Sequence, residues 1–407
     1  MTGVPVVGLG GVSALGASVA AMRAQLHALG CARAGAQTDF FPQPELASEV
    51  LPTALTLPVF GVEMADAELA DRLGVVSTHR VPRAALLALL ACREAMGAVA
   101  PGCLSTKRVG LLCGSTAGGM DCSEREYRGA YLEHRAVRAS AFCYHPIGSL
   151  VDWLAEQLGG LCYTLGVSTA CSSGANAILL GAQLVASGRL DYALVGGVEA
   201  LTQYTLNGFC SLGLTSARRC RPFDRARDGL NLGEGAAFLL LASSREVTRS
   251  RYRYVGGANA NDAYHQTGSS PEGRGPAEAM RGALQQAGVA PGAIAYIHAH
   301  GTATPTNDSA EYRAMRNVFG ELVPAYSSTK GYTGHTLGAA GALGSVLAIL
   351  ALEEQTAWPN VGFAHPFDGL AHPPAVGLTA LGSRPYAMTN SFGFGGNCTS
   401  LIFERLG

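Results

Sequence analysis

Three side chains of the types that carry nucleophilic and proton-transfer chemistry stand in stretches crowded with Gly, Ala, Ser and Thr. They are Cys171 in VSTACSSGANAILLGAQL (167–184), His300 in AYIHAHGTATPTND (295–308) and His335 in STKGYTGHTLGAAG (328–341). A thiolate is a strong nucleophile, and a covalent intermediate on it replaces one hard step by two easier ones. Neutral imidazoles supply N–H donors or accept a proton beside it. A fourth residue stands out by rarity: the only lysines are Lys107 and Lys330 in a chain whose cations are otherwise arginine. An ammonium retained in such a chain marks a place where a compact charge, not a planar fork, is required.

The elements that must position these groups follow from patterning. CYTLGVST (162–169) reads as a buried strand and the segment after Cys171 as a helix ending at Gly188, so the cysteine falls at a strand-to-helix turn. Free N–H groups and the positive dipole end of a helix favour a thiolate there. Position alone does not separate this from a small buried cysteine, of which a chain with eleven has several. His300 follows a strand and a Gly turn, where α/β proteins place ligand-facing groups. His335 opens a helix too rich in Gly and Ala to serve as an amphipathic surface element. His298 and His300 share a strand face, a spacing that also suits a metal pair, but no third ligand stands at metal spacing, so no metal is assigned. The C-terminal NSFGFGGNCTSLIF (390–403) reads as a glycine-flanked Phe loop before a strand: either a flexible turn, or an amide donor beside a movable aromatic.

Over the whole chain, short apolar runs ending in glycine alternate with helical patterns, which argues for α/β layers with buried strands. The pattern repeats. VVGLGG, GLLCGSTAGG and the helix after Cys171 have counterparts in YVGGANA, YIHAHGTATP and the helix after His335, dividing the chain into halves at 1–248 and 249–407. With 14% charged residues and a formal net charge of −1, nothing draws the chain electrostatically to nucleic acid or anionic lipid. The apolar runs 84–92 and 346–352 are too short to span a bilayer. An odd number of cysteines without a C-x-x-C pair, and an N-terminus without a basic leader, point to a reducing cytoplasmic setting.

Taken together, TACSSG, RPFDRARDGLNLGEGAA (221–237), NDAYHQT (261–267), HGTATPTNDSAE (300–311), SSTKGYTGHTLGAAGA (327–342) and NSFGFGG (390–396) resemble the elongating β-ketoacyl-acyl-carrier-protein synthases of the thiolase superfamily. The resemblance implies a five-layered αβαβα fold and decarboxylative condensation of a malonyl unit with an acyl chain. It makes Cys171 the acyl acceptor, His300 and His335 the histidines that assist decarboxylation, and Lys330 their support, with the acidic pair Asp308 and Glu311 behind. Thr302 and Thr304 match threonines that bind the carrier's phosphopantetheine arm. Phe394 would add its amide to that of Cys171 in an oxyanion hole, Phe392 and Phe394 would gate the site, and Asp262 lies on the facing loop.

The resemblance also implies no resident cofactor, an acyl carrier protein as partner, and either a homodimer or a heterodimer with a chain-length-factor-like subunit. Related thiolases carry a second cysteine in the C-terminal glycine loop, where this chain has FGFGG. Chain-initiating and plant-type relatives place Asn at His335, so its presence here favours elongation. Three departures are specific to this chain: no Thr precedes Asn397, His298 replaces the more common Asn, and Ala117 in GSTAGGM (114–120) stands where several relatives have a larger residue bounding the acyl pocket. A roomier tunnel is expected. The arginines at 218, 219, 221, 225 and 227 read as structural pairing, with docking of the acidic carrier as the alternative.

Overall fold

A computed structural model describes residues 3–31, 45–47, 56–76, 81–247 and 249–407. Ten strands form one sheet: β1 (Val4–Ser13), β2 (Val109–Gly114), β3 (Leu161–Val167), β4 (Tyr192–Glu199), β5 (Gly235–Ala242), β6 (Tyr252–Asn261), β7 (Ile294–His298), β8 (Ala325–Ser327), β9 (Tyr386–Phe392) and β10 (Asn397–Arg405). Their order is β8-β7-β9-β10-β6-β1-β5-β4-β2-β3. The two middle strands pair only over Val4–Val6 and Tyr252–Tyr254, so the sheet is two five-stranded leaves hinged on a short contact.

The leaves repeat one another. From the hinge outward the first runs β1-β5-β4-β2-β3 and the second β6-β10-β9-β7-β8. In each, the first three strands are antiparallel neighbours and the last three parallel. The last strand of the first leaf ends at Ala242 and the first strand of the second begins at Tyr252; the expected boundary residue 248 lies outside the described residues.

Strands β2, β4 and β5 are buried along their whole length, which explains why they read as continuous apolar runs rather than alternations. Helices α1 (Arg83–Met96) and α2 (Ile147–Leu158) cover the outer face of the first leaf, and α4 (Arg274–Ala287) and α5 (Pro305–Phe319) that of the second. Between the leaves lie α3 (Ser173–Ala186) and α6 (Ala340–Glu354), each touching strands of both. The result is the five-layered αβαβα arrangement of a thiolase-like fold. A Cβ on Gly341 would stand 2.7 Å from the Cβ of Ala175, so small residues are what lets the two central helices meet.

Two expectations need correction. β3 is not buried: Cys162, Tyr163 and Thr164 are exposed, because β3 is the free edge of the sheet. The helix after His335 begins only at Ala340, since Gly334 at φ +63° and Leu337 at φ +42° interrupt it. Leu337–Glu354 is the one stretch among the described residues long and apolar enough to cross a membrane, and 83% of it is buried within the fold.

Candidate active site

Cys171 sits between β3 and α3, in a turn whose preceding residue, Ala170, adopts φ +54°. Hydroxyls shape this turn: Ser172 Oγ donates to Thr169 O at 2.6 Å and Ser173 Oγ to Ala170 O at 2.6 Å. Ser172 Oγ also lies 2.6 Å from Asn397 Oδ1, tying the C-terminal loop to the cysteine turn. His300 lies just beyond β7, and His335 on the irregular segment before α6. The two leaves thus deliver nucleophile and histidines to one seam: Cys171 Sγ and a ring nitrogen from each of His300 and His335 all lie within 4.8 Å of one another, fully buried.

The histidine rings meet edge to face, with centroids 5.2 Å apart and planes at 81°. The Leu337 N–H donates to His335 Nδ1 at 3.1 Å, which places that ring's own proton on Nε2. His300 Nδ1 is buried without a partner. Burial pushes both imidazoles well below their ordinary pKa and the Lys330 charge pushes them further, so both are neutral donors or acceptors at physiological pH. Burial likewise pushes the Cys171 thiol up to about 11, against the pull of Lys330 and of hydrogen bonds from the Phe394 and Cys171 amides. Desolvation therefore outweighs the helix N-terminus that the sequence suggested would favour the thiolate. Those same two amides put a pair of N–H donors at the sulfur.

Behind the histidines the polar groups are satisfied in a connected set. Glu311 accepts from the His300 and Gly301 amides, each at 2.8 Å, and Lys330 Nζ donates to His300 O. Burial lowers the Lys330 pKa, opposed by Glu311, and burial raises Glu311 and Asp308. Asp308 accepts from the amides of Phe223 at 2.7 Å and Ala303 at 3.1 Å, two non-glycine residues held at φ +63° and +64°. Lys107, by contrast, forms an ion pair with Glu246 at 2.7 Å far from this site.

A cavity above Cys171 is lined by Thr302, Thr304, Phe392, Phe394, Asp262 and both histidines. The hydroxyls of Thr302 and Thr304 are 2.9 Å apart. Phe392 packs beside His300, and the Phe394 ring stacks on Phe209 at 5.4 Å. Asp262 accepts from Ser270 N at 2.6 Å, and its own amide donates to Gly396 O at 2.8 Å, binding the NDAYHQT loop to the Phe loop. Ala117 does not line this cavity; it is 6% exposed in the turn after β2.

His298 does not pair with His300. Strand β7 ends at His298, whose Nε2 meets Thr329 Oγ1 at 3.1 Å, away from the cysteine. Among the arginines, Arg227 stacks 4.1 Å over Phe367 and Arg218 pairs with Asp228, which supports the structural reading for both. Sequence reasoning missed Glu199 and Phe209. Glu199 carried a faint signal as the single acid at the end of the wholly buried strand YALVGGVE; Phe209 carried none.

Residues 1–247 match the family model for the N-terminal domain of β-ketoacyl synthases, and residues 253–364 that for the C-terminal domain. The chain belongs to the β-ketoacyl synthase family. Among β-ketoacyl synthases it is 36% identical over 318 residues to 3-oxoacyl-[acyl-carrier-protein] synthase 2 of Coxiella burnetii, covering 74% of this chain and 76% of that protein. In structure it is similar to a chain of the ketosynthase ApeO in complex with its chain length factor ApeC from Xenorhabdus doucetiae (TM-score 0.85, 30% identity, 99% and 98% of the two chains). It is also similar to a chain of the ishigamide ketosynthase/chain length factor (TM-score 0.90, 26% identity, 99% of each).

Proposed function

We propose that this β-ketoacyl synthase joins a Cys171-bound acyl group to a malonyl unit, both delivered as thioesters of an acyl carrier protein, in fatty-acid or polyketide assembly. The observation that carries the reading is the convergence of one thiol, two neutral imidazoles and two amide donors in a dry seam.

In the first half-reaction the Cys171 sulfur attacks the acyl thioester, its proton passing to a neutral imidazole nitrogen within 4.8 Å. The carrier thiol leaves with that proton, and the tetrahedral oxyanion is met by the Phe394 and Cys171 amides. In the second, malonyl-carrier enters along Thr302 and Thr304. Loss of carbon dioxide moves the electron pair of the C–C bond into an enolate, whose oxygen accepts N–H donation from His335 Nε2 and from His300. The enolate carbon attacks the acyl-Cys171 carbonyl, the carbonyl–sulfur bond breaks, the departing Cys171 thiolate takes up a proton from water, and a β-ketoacyl-carrier is released. Lys330 and Glu311 hold the His300–Gly301 backbone, and Asp308 holds the Phe223 and Ala303 amides beside it. No resident cofactor enters these steps, and a free reactive thiol suits a reducing cytoplasm.

The exposed edge strand β3 supports dimerisation, because an unpaired row of N–H and C=O groups is a template for a second chain. The solved ketosynthase/chain length factor pairs support a heterodimer of that kind, with a homodimer as the alternative. A non-catalytic scaffold is disfavoured by the presence of Cys171, His300 and His335.

The test is intact-protein and peptide mass spectrometry after incubation with an acyl-carrier donor or cerulenin, followed by malonyl-carrier. An adduct on Cys171 that is discharged as a β-ketoacyl product is expected. No adduct there would sink the reading.

A further inference from the structure

Glu199 ends β4 fully buried, and its carboxylate ties the turn after β2 to the segment that carries His335. On one side it accepts from the turn after β2: Ser115 Oγ at 3.0 Å and Ala117 N at 2.9 Å on Oε1, with Thr116 N at 2.9 Å and Thr116 Oγ1 on Oε2. On the other, Oε2 accepts Gly338 N at 2.9 Å. Five donors on one carboxylate leave it no freedom to turn.

The second side reaches His335 in two steps. Gly338 follows Leu337, a non-glycine residue at φ +42°, a conformation that L side chains avoid and hold only when their surroundings fix it. In that conformation the Leu337 N–H donates to His335 Nδ1 at 3.1 Å. Closeness fixes the register as well: a Cβ on Gly338 would stand 2.7 Å from Ser115 Cα and 2.8 Å from Glu199 Oε2.

We infer that Glu199 is a positioning residue: by clamping Gly338 to the 115–117 turn it holds the Leu337 amide on His335 Nδ1, and so keeps the His335 proton on Nε2 for the enolate. The inference rests on the condensing-enzyme reading. It separates the half-reactions, because acylation of Cys171 does not need an N–H donor on His335 and decarboxylation does.

The test compares Glu199→Gln with the unaltered protein, measuring acyl transfer to Cys171 and carbon dioxide release from malonyl-carrier independently. The amide group would turn a donor toward donors and open the clamp. Carbon dioxide release is expected to fall at least about tenfold, while acyl transfer stays within about threefold or rises. In protein carrying 15N-histidine, the His335 signal is expected to change from a single Nε2–H tautomer to a mixture. Thr116→Val, which removes one hydroxyl donor and keeps the backbone bonds, is expected to give a smaller split in the same direction and carries the test if Glu199→Gln does not fold. Equal loss in both half-reactions, or an unchanged His335 tautomer, would overturn the clamp. Absence of both half-reactions in the unaltered protein would instead overturn the condensing-enzyme reading.

Discussion

The edge of one histidine ring faces the other, His300 against His335, with centroids 5.2 Å apart. Two cations could not share this buried spot with Lys330, and burial and the lysine charge do hold both rings neutral. Two neutral donors aimed at one developing oxyanion are expected to lower the decarboxylation barrier jointly. Replacing either His300 or His335 by Ala should slow carbon dioxide release from malonyl-carrier by about 100- to 1000-fold. Acylation of Cys171, followed by mass spectrometry, should survive better in at least one of the two variants. Equal abolition of both half-reactions by both substitutions would contradict separate roles.

Much of this site is legible in the sequence, for physical reasons that differ between residues. Cys171 stood at a strand-to-helix turn, and the turn is there because Ala170 and two serine hydroxyls fix it. Rarity marked Lys107 and Lys330 alike, and the family resemblance singled out Lys330; Lys107 pairs with Glu246 instead. The repeated order of strands in the two leaves was foreshadowed by the glycine-ended runs. What stayed hidden is what depends on long-range closure. β3 has the apolar pattern of a buried strand, yet it lies at the sheet edge, a fact set by strand order and not by its residues. Glu199 acts through loops 82 to 139 positions distant, which no local pattern encodes. His298 and His300 look alike by spacing, but the strand ends at His298, whose ring bonds Thr329 while His300 faces His335.

The raised thiol pKa has a direct kinetic consequence. Because the folded value is about 11, Cys171 is almost entirely protonated at neutral pH, and its thiolate fraction rises about tenfold for each pH unit between 7 and 10. Alkylation by iodoacetamide, read at the Cys171 peptide, should follow that slope with no plateau near the value of a free thiol. Lys330→Met removes the cation that opposes burial and should slow alkylation further at every pH in this range. A plateau below pH 9 would show that desolvation does not dominate.

Ala117 lies off the cavity above Cys171 but in the turn that packs against the cysteine helix, where a Cβ on the neighbouring Gly114 would stand 2.4 Å from Gly174 N. The family resemblance, in which a larger residue at this place bounds the acyl pocket, is what makes a larger side chain at 117 expected to shorten the acyl tunnel. Ala117→Ile is expected to shift the products toward shorter chains, with activity on the shortest donors kept within about threefold. The measurement is a chain-length and unsaturation series of acyl-carrier donors with products read by mass spectrometry. An unchanged profile would remove Ala117 from the acyl tunnel.

His298 tests burial at a histidine outside the Cys171–His300–His335 cluster. It is neutral in the fold, its pKa pushed down to about 3 by burial and then by Lys330, whereas in the unfolded chain it titrates at 6.5. Between those values the unfolded chain binds the extra proton, so stability falls as pH drops below 6.5 and the loss is complete once pH passes about 3. Glu311 and Asp308, raised by burial, have the opposite slope, their stabilisation being lost as pH rises through their folded values. Subtracting one histidine isolates its share from these. His298→Asn keeps a polar group for Thr329 and removes the titration, so urea unfolding midpoints should fall less steeply with acid than in the unaltered protein. The difference should approach about 1.4 kcal/mol for each pH unit below 6.5. Parallel curves for the two proteins from pH 7.5 to 5 would mean that His298 is protonated in the folded state as readily as in the unfolded one.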